Sequence, residues 1–189
     1  MDSALIVTSS DKGVAYLTQL LNSASVSHIV TLASGGEARR LVLERDFDLV
    51  IINAPLKDEF GESLSCHIAS KGISQVILLV KGEHFDEVSA ATEEYGVLTV
   101  SKPVNTDLFW AALKLAKSMH AKLKRMRTEN NKLKQRIEDI RIIDRAKCVL
   151  ISYLSMTEQE AHRYIEKQAM DMRITKRAVA EGILKMYEN

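Results

Sequence analysis

The sequence predicts an α/β fold: a doubly wound, parallel, five-stranded sheet followed by one long helix and a small three-helix domain. Short apolar runs alternate five times with longer amphipathic stretches in the first part of the chain. Neither Gly nor Pro occurs between residues 106 and 154, so one helix can span this segment without a break. Beyond it, a capping signal at Thr157 introduces further segments with helical spacing.

Each predicted strand is a short apolar run of the length that a buried parallel strand requires. The runs are residues 4–7, 28–32, 49–52, 76–80 and 97–100. The predicted helices between them cover residues 12–21, 38–44, 63–70 and 86–95, and a fifth begins near residue 106. Right-handed crossovers place such helices on both faces of the sheet, and ligands of these folds bind at the carboxyl ends of the strands.

Charge is distributed unevenly along the chain, although the net charge is only +1. Residues 1–113 hold 8 Lys/Arg against 15 Asp/Glu, residues 114–136 hold 9 against 1, and residues 137–189 hold 9 of each. This pattern predicts three functional regions, with boundaries at residues 1–118, 115–141 and 134–189. We call residues 114–136 the basic stalk.

Composition excludes several classes of protein. The only cysteines, Cys66 and Cys148, form no CxxC pair, and the five histidines are scattered, which argues against a zinc site or a disulfide scaffold. The first ten residues do not have the pattern of a signal peptide, and no apolar run approaches the ~20 residues of a membrane span. We therefore predict a cytoplasmic protein with no metal, no cofactor and no membrane partner.

The long helix carries a heptad seam whose apolar residues are spaced alternately four and three apart. The heptad seam consists of Met119, Leu123, Met126, Asn130, Leu133, Ile137 and Ile140. A single Asn at an a position, here Asn130, favours a parallel two-stranded coiled coil, because each amide pairs with its twin. The alternative is a helix that packs its apolar side on its own domain. Only the flanking pair Glu129 and Lys134 attracts, so the coil is predicted to be weak alone.

The first region resembles the receiver domain of two-component response regulators over about residues 3–118. The resemblance depends on strand order, residues 47–61 and the sequence Ser101-Lys102-Pro103, and it implies a flavodoxin-like sheet. In that family two acids after the first strand hold Mg²⁺, and an Asp that ends the third strand accepts a phosphoryl group. A Thr or Ser ends the fourth strand, and a Lys precedes Pro after the fifth.

Most of these positions are changed here. The matching residues are Thr8 and Ser9 for the acid pair, Asn53 for the acceptor, Val80 for the hydroxyl and Lys102 for the lysine. An amide is not a nucleophile toward phosphorus, and without carboxylates a Mg²⁺ site lacks its oxygen ligands. We therefore predict a pseudo-receiver without catalytic residues, in which Lys102 bridges to Asn53 or to backbone carbonyls. A partner protein or a ligand would control it.

The tail resembles the ANTAR family of RNA-binding antiterminator domains over about residues 134–189. The resemblance depends on residues 144–150, 156–161, 168–173 and 179–180, with Cys148 where the family usually has Gly. It implies three helices that bind paired small hairpins in nascent mRNA and so prevent a terminator hairpin. Thr157 and Glu160 form a predicted capping box, and Thr175 is predicted to cap the last helix.

RNA recognition requires cations for phosphates and planar or amide groups for unpaired bases. The predicted RNA-binding residues are Arg145, Lys147, Lys167, Gln168, Arg173, Lys176 and Arg177. Of these, Lys167 and Gln168 are predicted to end the second helix of the tail. Tyr164 could stack on a base, but its helical spacing favours packing in the core. The alternatives are a DNA-binding transcription factor, a receiver competent for phosphoryl transfer, and a dimerisation scaffold.

Overall fold

The computed structural model describes residues 1–72 and 74–187. The chain divides into two compact units, Met1–Arg125 and Met126–Asn189. The boundary falls inside a long helix that belongs to both, and each unit is described by itself below.

The first unit is a five-stranded parallel sheet in the order β2-β1-β3-β4-β5, which confirms the predicted fold class. The strands are β1 (Ser3–Thr8), β2 (His28–Leu32), β3 (Leu49–Asn53), β4 (Gln75–Lys81) and β5 (Leu98–Lys102). The helices between them are α1 (Asp11–Ser23), α2 (Gly35–Glu44), α3 (Glu62–Ser70) and α4 (Phe85–Thr92). The predicted fourth helix is shorter than expected, because its last residues form a separate 3₁₀ turn, Glu93–Tyr95.

Alternate residues of the central strands enter two separate apolar layers, because successive side chains point to opposite faces of a sheet. Leu49 and Ile51 of β3 pack with Leu17 and Phe109 in one layer. Val50 and Ile52 pack in the other layer. Both faces of the sheet are therefore covered, as an all-parallel sheet requires.

The helical part of the chain contains α5 (Thr106–Leu154), α6 (Glu158–Met172) and α7 (Lys176–Tyr187). The 49-residue helix α5 confirms the prediction drawn from the missing Gly and Pro residues. Both predicted caps are present: Thr157 and Glu160 form the capping box, and the Ala178 amide donates to Thr175 Oγ1 at 3.2 Å.

The second unit has a small apolar core at the end of α5. Ala146, Ala161 and Ala180, one from each helix, are fully buried, so the three helices approach closely. Ile165 is the large residue at this contact and is 1% exposed. Among the described residues, no helix is long and apolar enough to cross a membrane.

Candidate receiver site and nucleic-acid interface

Three of the five positions that match the receiver site meet at the carboxyl end of the sheet. Asn53 Nδ2 donates to Thr8 Oγ1 at 3.0 Å, and Lys102 Nζ donates to Asn53 Oδ1 at 3.0 Å. Lys102 also donates to the carbonyl of Ala54. Lys102 therefore makes both contacts expected from the sequence, and the Asn53 amide is held between a hydroxyl and a cation.

The other two positions lie away from this contact. Ser9 Oγ donates to the carbonyl of Pro55 at 3.1 Å. Leu79 pairs with Asn53 and faces the same side of the sheet as Asn53. Because successive side chains of a strand point to opposite faces, Val80 lies on the other face, where it is fully buried in the apolar layer. Among the described residues, no group of three or more His, Cys, Asp or Glu side chains could hold a metal ion.

A small phosphodonor such as acetyl phosphate with Mg²⁺ should leave the intact mass of this protein unchanged. The reason is that Asn53 has no nucleophilic oxygen and Thr8 offers no carboxylate to a metal. Intact-protein mass spectrometry checks this, with a receiver that has its acid pair and acceptor Asp as the positive control. A species heavier by one phosphoryl group would contradict the pseudo-receiver hypothesis.

In the second unit, three of the predicted RNA-binding cations form ion pairs within the chain. Lys147 Nζ lies 2.8 Å from Asp144 and 2.9 Å from Glu158, and these contacts raise the pKa of Lys147. Arg177 donates to Asp139 on α5 and to Glu181 on α7, both at 2.8 Å. Lys176 pairs with Glu166.

The ion pair between Arg177 and Asp139 connects α7 to α5, so the Arg177 side chain has a structural role. Hydrogen bonds from Arg177 and then from Gln135 lower the pKa of Asp139, which keeps the carboxylate charged. Lys147 similarly connects α5 to the start of α6 through Glu158. Both cations were predicted from the sequence to be open to RNA, and these contacts were not predicted.

Of the remaining predicted residues, Gln168 is half-buried. Arg145, Lys167 and Arg173 are exposed. Neither Lys167 nor Arg173 forms an ion pair with any residue in the described part of the chain. The prediction that Lys167 and Gln168 end the second helix was wrong, because α6 continues to Met172. The helix continues for more than one further turn beyond Lys167.

An apolar groove of about 330 Å³ lies between the helices of the second unit, and the sequence analysis did not predict it. Its lining includes Tyr164, Gln168, Met172, Ile174 and Met186. Tyr164 is 38% exposed, so the expectation that it packs in the core was wrong. Exposed residues such as Met186 follow the same helical spacing as core residues, and spacing alone cannot separate the two.

Arg173 ends α6 in a left-handed conformation, with φ of 55°. Its amide and that of Ile174 close the helix by bonding back to Met170 and Ala169. A left-handed conformation costs a non-Gly residue ~1 kcal/mol, and helices usually place Gly here. An exposed Arg therefore occupies a position where backbone energetics favour Gly.

We expect Arg173→Gly to raise the free energy of unfolding by ~1 kcal/mol or less, because Gly adopts this conformation without strain. Urea titration followed by circular dichroism measures the change. Ser155→Gly, at φ of 53°, is the matched control and should stabilise the protein similarly. If Arg173→Gly destabilised the protein while Ser155→Gly stabilised it, the Arg173 side chain would be a structural contact.

Comparison with known proteins agrees with this division of the chain. The first unit resembles the signal receiver domain of an HD domain-containing protein from Pseudomonas fluorescens Pf-5, with a TM-score of 0.58 and 25% identity over 66% of this chain and 92% of that one. It also resembles chemotaxis response regulator CheY4 of Vibrio cholerae, with a TM-score of 0.52 and 19% identity over 61% of this chain and 98% of that one. Residues 131–184 match the ANTAR domain. The chain therefore combines a receiver fold with a segment that matches the ANTAR domain.

Similarity to a further relative extends over most of the chain. The transcriptional regulatory protein PdtaR of Mycobacterium tuberculosis is 29% identical over 168 residues, which cover 89% of this chain and 82% of that protein. The similarity therefore includes both units and the helix that joins them.

Proposed function

We propose that this protein is a cytoplasmic transcription antitermination regulator. As a dimer it binds paired hairpins in nascent mRNA. Its receiver-like domain is controlled by a partner or a ligand instead of by phosphoryl transfer. The observation that carries the proposal is the ANTAR domain at residues 131–184, with exposed cations beside a groove in the same unit.

The surface around the end of α6 has the chemistry that a hairpin loop requires. Lys167 and Arg173 supply exposed positive charge for phosphates, and Arg145 adds a further exposed cation on α5. In the same unit, Gln168 and the Tyr164 ring line the apolar groove. Loop bases are unstacked and can lie against an aromatic ring while an amide bonds to their edges. This combination favours single-stranded loop nucleotides over the bases of a closed duplex.

The heptad seam supports the dimer. Its members Leu123, Met126, Leu133, Ile137 and Ile140 are between 42% and 58% exposed in the single chain. Burying such a stripe against a second copy removes apolar surface from water, which stabilises the dimer by ~25 cal/mol for each Å² buried. Asn130 in the same stripe would pair with its twin and select the parallel arrangement.

A parallel coil would place two ANTAR domains at the same end of the dimer. Two hairpins on one transcript would then be bound by two linked sites, and the second contact would benefit from a high effective concentration. The basic stalk, with 9 Lys/Arg against 1 Asp/Glu in residues 114–136, adds nonspecific attraction for phosphates.

The test is fluorescence anisotropy with the full-length protein and a labelled RNA that carries two short hairpins. We expect tight binding that weakens steeply as salt is raised, and weaker binding to the same RNA with one hairpin deleted. A duplex DNA of equal length and charge is the control. Equal affinity for the duplex DNA would favour a DNA-binding transcription factor, and no binding to either would contradict a nucleic-acid function.

A further inference from the structure

The degenerate receiver site opens into a cleft of about 420 Å³ between the start of α1 and the carboxyl ends of β3 and β5. We call it the receiver cleft. Among the residues that the structure describes, its lining contains two cations, Lys12 and Lys102, and no Asp or Glu. Tyr16, Leu79 and Val104 supply apolar and aromatic walls. In receiver domains this region holds carboxylates and a metal ion. In this protein it is positively charged and partly apolar.

Lys102 lacks a countercharge. Its ammonium donates only to neutral oxygens of Asn53 and Ala54, and it forms no ion pair with any residue in the described part of the chain. Partial burial lowers the pKa of Lys102, and the neighbouring Lys81 charge lowers it further. A partly buried cation without an anion is unfavourable, and a bound anion would relieve that cost.

The start of α1 keeps the cleft open and adds positive potential. A Cβ at Gly13 would lie 2.9 Å from Asn53 Nδ2 and 3.0 Å from Thr8 Oγ1, so a side chain at this position would press on the floor of the cleft. Ser10 caps the 13-residue helix, whose N-terminal end carries partial positive charge.

We propose that the receiver cleft reversibly binds a small organic anion, a carboxylate or phosphate monoester with an apolar body. The anionic head would lie between Lys12 and Lys102, and the body would lie against Tyr16 and Val104. No covalent bond forms, since Asn53 offers no nucleophile. The inference rests on the ligand control included in the proposed function, and it gives that ligand a chemical class.

The experiment is isothermal titration calorimetry of the full-length protein at constant ionic strength, with phenyl phosphate and benzoate as separate probes. We expect saturable binding of at least one probe, tighter than that of inorganic phosphate because of the apolar walls. Binding of phenyl phosphate alone assigns a phosphate monoester, and binding of benzoate alone assigns a carboxylate.

Lys12→Met and Lys102→Met should each weaken binding about tenfold, which corresponds to ~1.4 kcal/mol. Lys71 is an exposed lysine of the same unit and lies outside the cleft, so Lys71→Met should leave the affinity for the probe unchanged. Because Lys12 is exposed, its variant keeps the test valid if Lys102→Met fails to fold. Folded protein that binds neither probe, or binding unaffected by Lys12→Met, would overturn the proposal. RNA affinity is measured without a probe, so failure of either proposal is seen separately.

Discussion

A variant with Leu133 and Ile137 both replaced by aspartate should be monomeric, and its affinity for a two-hairpin RNA should fall by a factor of about a hundred or more. Both side chains are more than half exposed in the single chain, so the substitutions do not disturb either core. In a parallel coil they would place four carboxylates in the apolar seam, where unpaired charges are costly. Light scattering after size exclusion measures the oligomeric state, and fluorescence anisotropy measures the affinity.

The control is the double variant Thr128→Asp and Asn131→Asp, which makes the same change of charge on exposed outer positions of the same helix. It should remain dimeric and should lose only the small part of its affinity that depends on overall charge. A single-hairpin RNA provides the second control, because the seam variant should bind it with the same affinity as the Thr128→Asp and Asn131→Asp variant does. If the unmodified protein were a monomer at micromolar concentration, the coiled coil would be wrong.

Much of the fold could be predicted because its signals are local. Strands β1, β3 and β4 contain continuous apolar runs. Helix α5 continues for 49 residues because nothing in its sequence breaks a helix. The capping box at Thr157 uses a partner three residues away, so the sequence contains all of it. The contact between Lys102 and Asn53 was expected from the resemblance to receiver domains, in which the matching residues lie in one site.

The parts that could not be predicted depend on residues far apart in sequence. Arg177 pairs with Asp139, 38 residues away, and no charge count along the chain can identify that partner. The burial of Val80 on the opposite face was also hidden, because both faces of a central parallel strand are apolar and its alternation leaves no pattern. Tyr164 follows core spacing on α6, yet the groove beside it leaves its ring accessible.

Replacing Lys167 and Arg173 together with glutamine should lower affinity for the two-hairpin RNA roughly a hundredfold or more at low salt, since each hydrogen bond to a charged group contributes ~1.5–3 kcal/mol. Both residues are exposed and neither holds helices together through an ion pair in the described part of the chain, so stability should change little. The plot of log affinity against log salt should also become shallower, because a protein that makes fewer phosphate contacts releases fewer counterions when it binds.

Lys147→Gln is the matched control, because it removes the same kind of charge from a side chain that is only 16% exposed and already paired with Asp144 and Glu158. It should lower the free energy of unfolding by ~1 kcal/mol or less and leave the salt dependence of RNA binding unchanged. The opposite pattern, with the salt dependence altered by Lys147→Gln and not by the Lys167 and Arg173 variant, would place the RNA on α5 instead of at the end of α6.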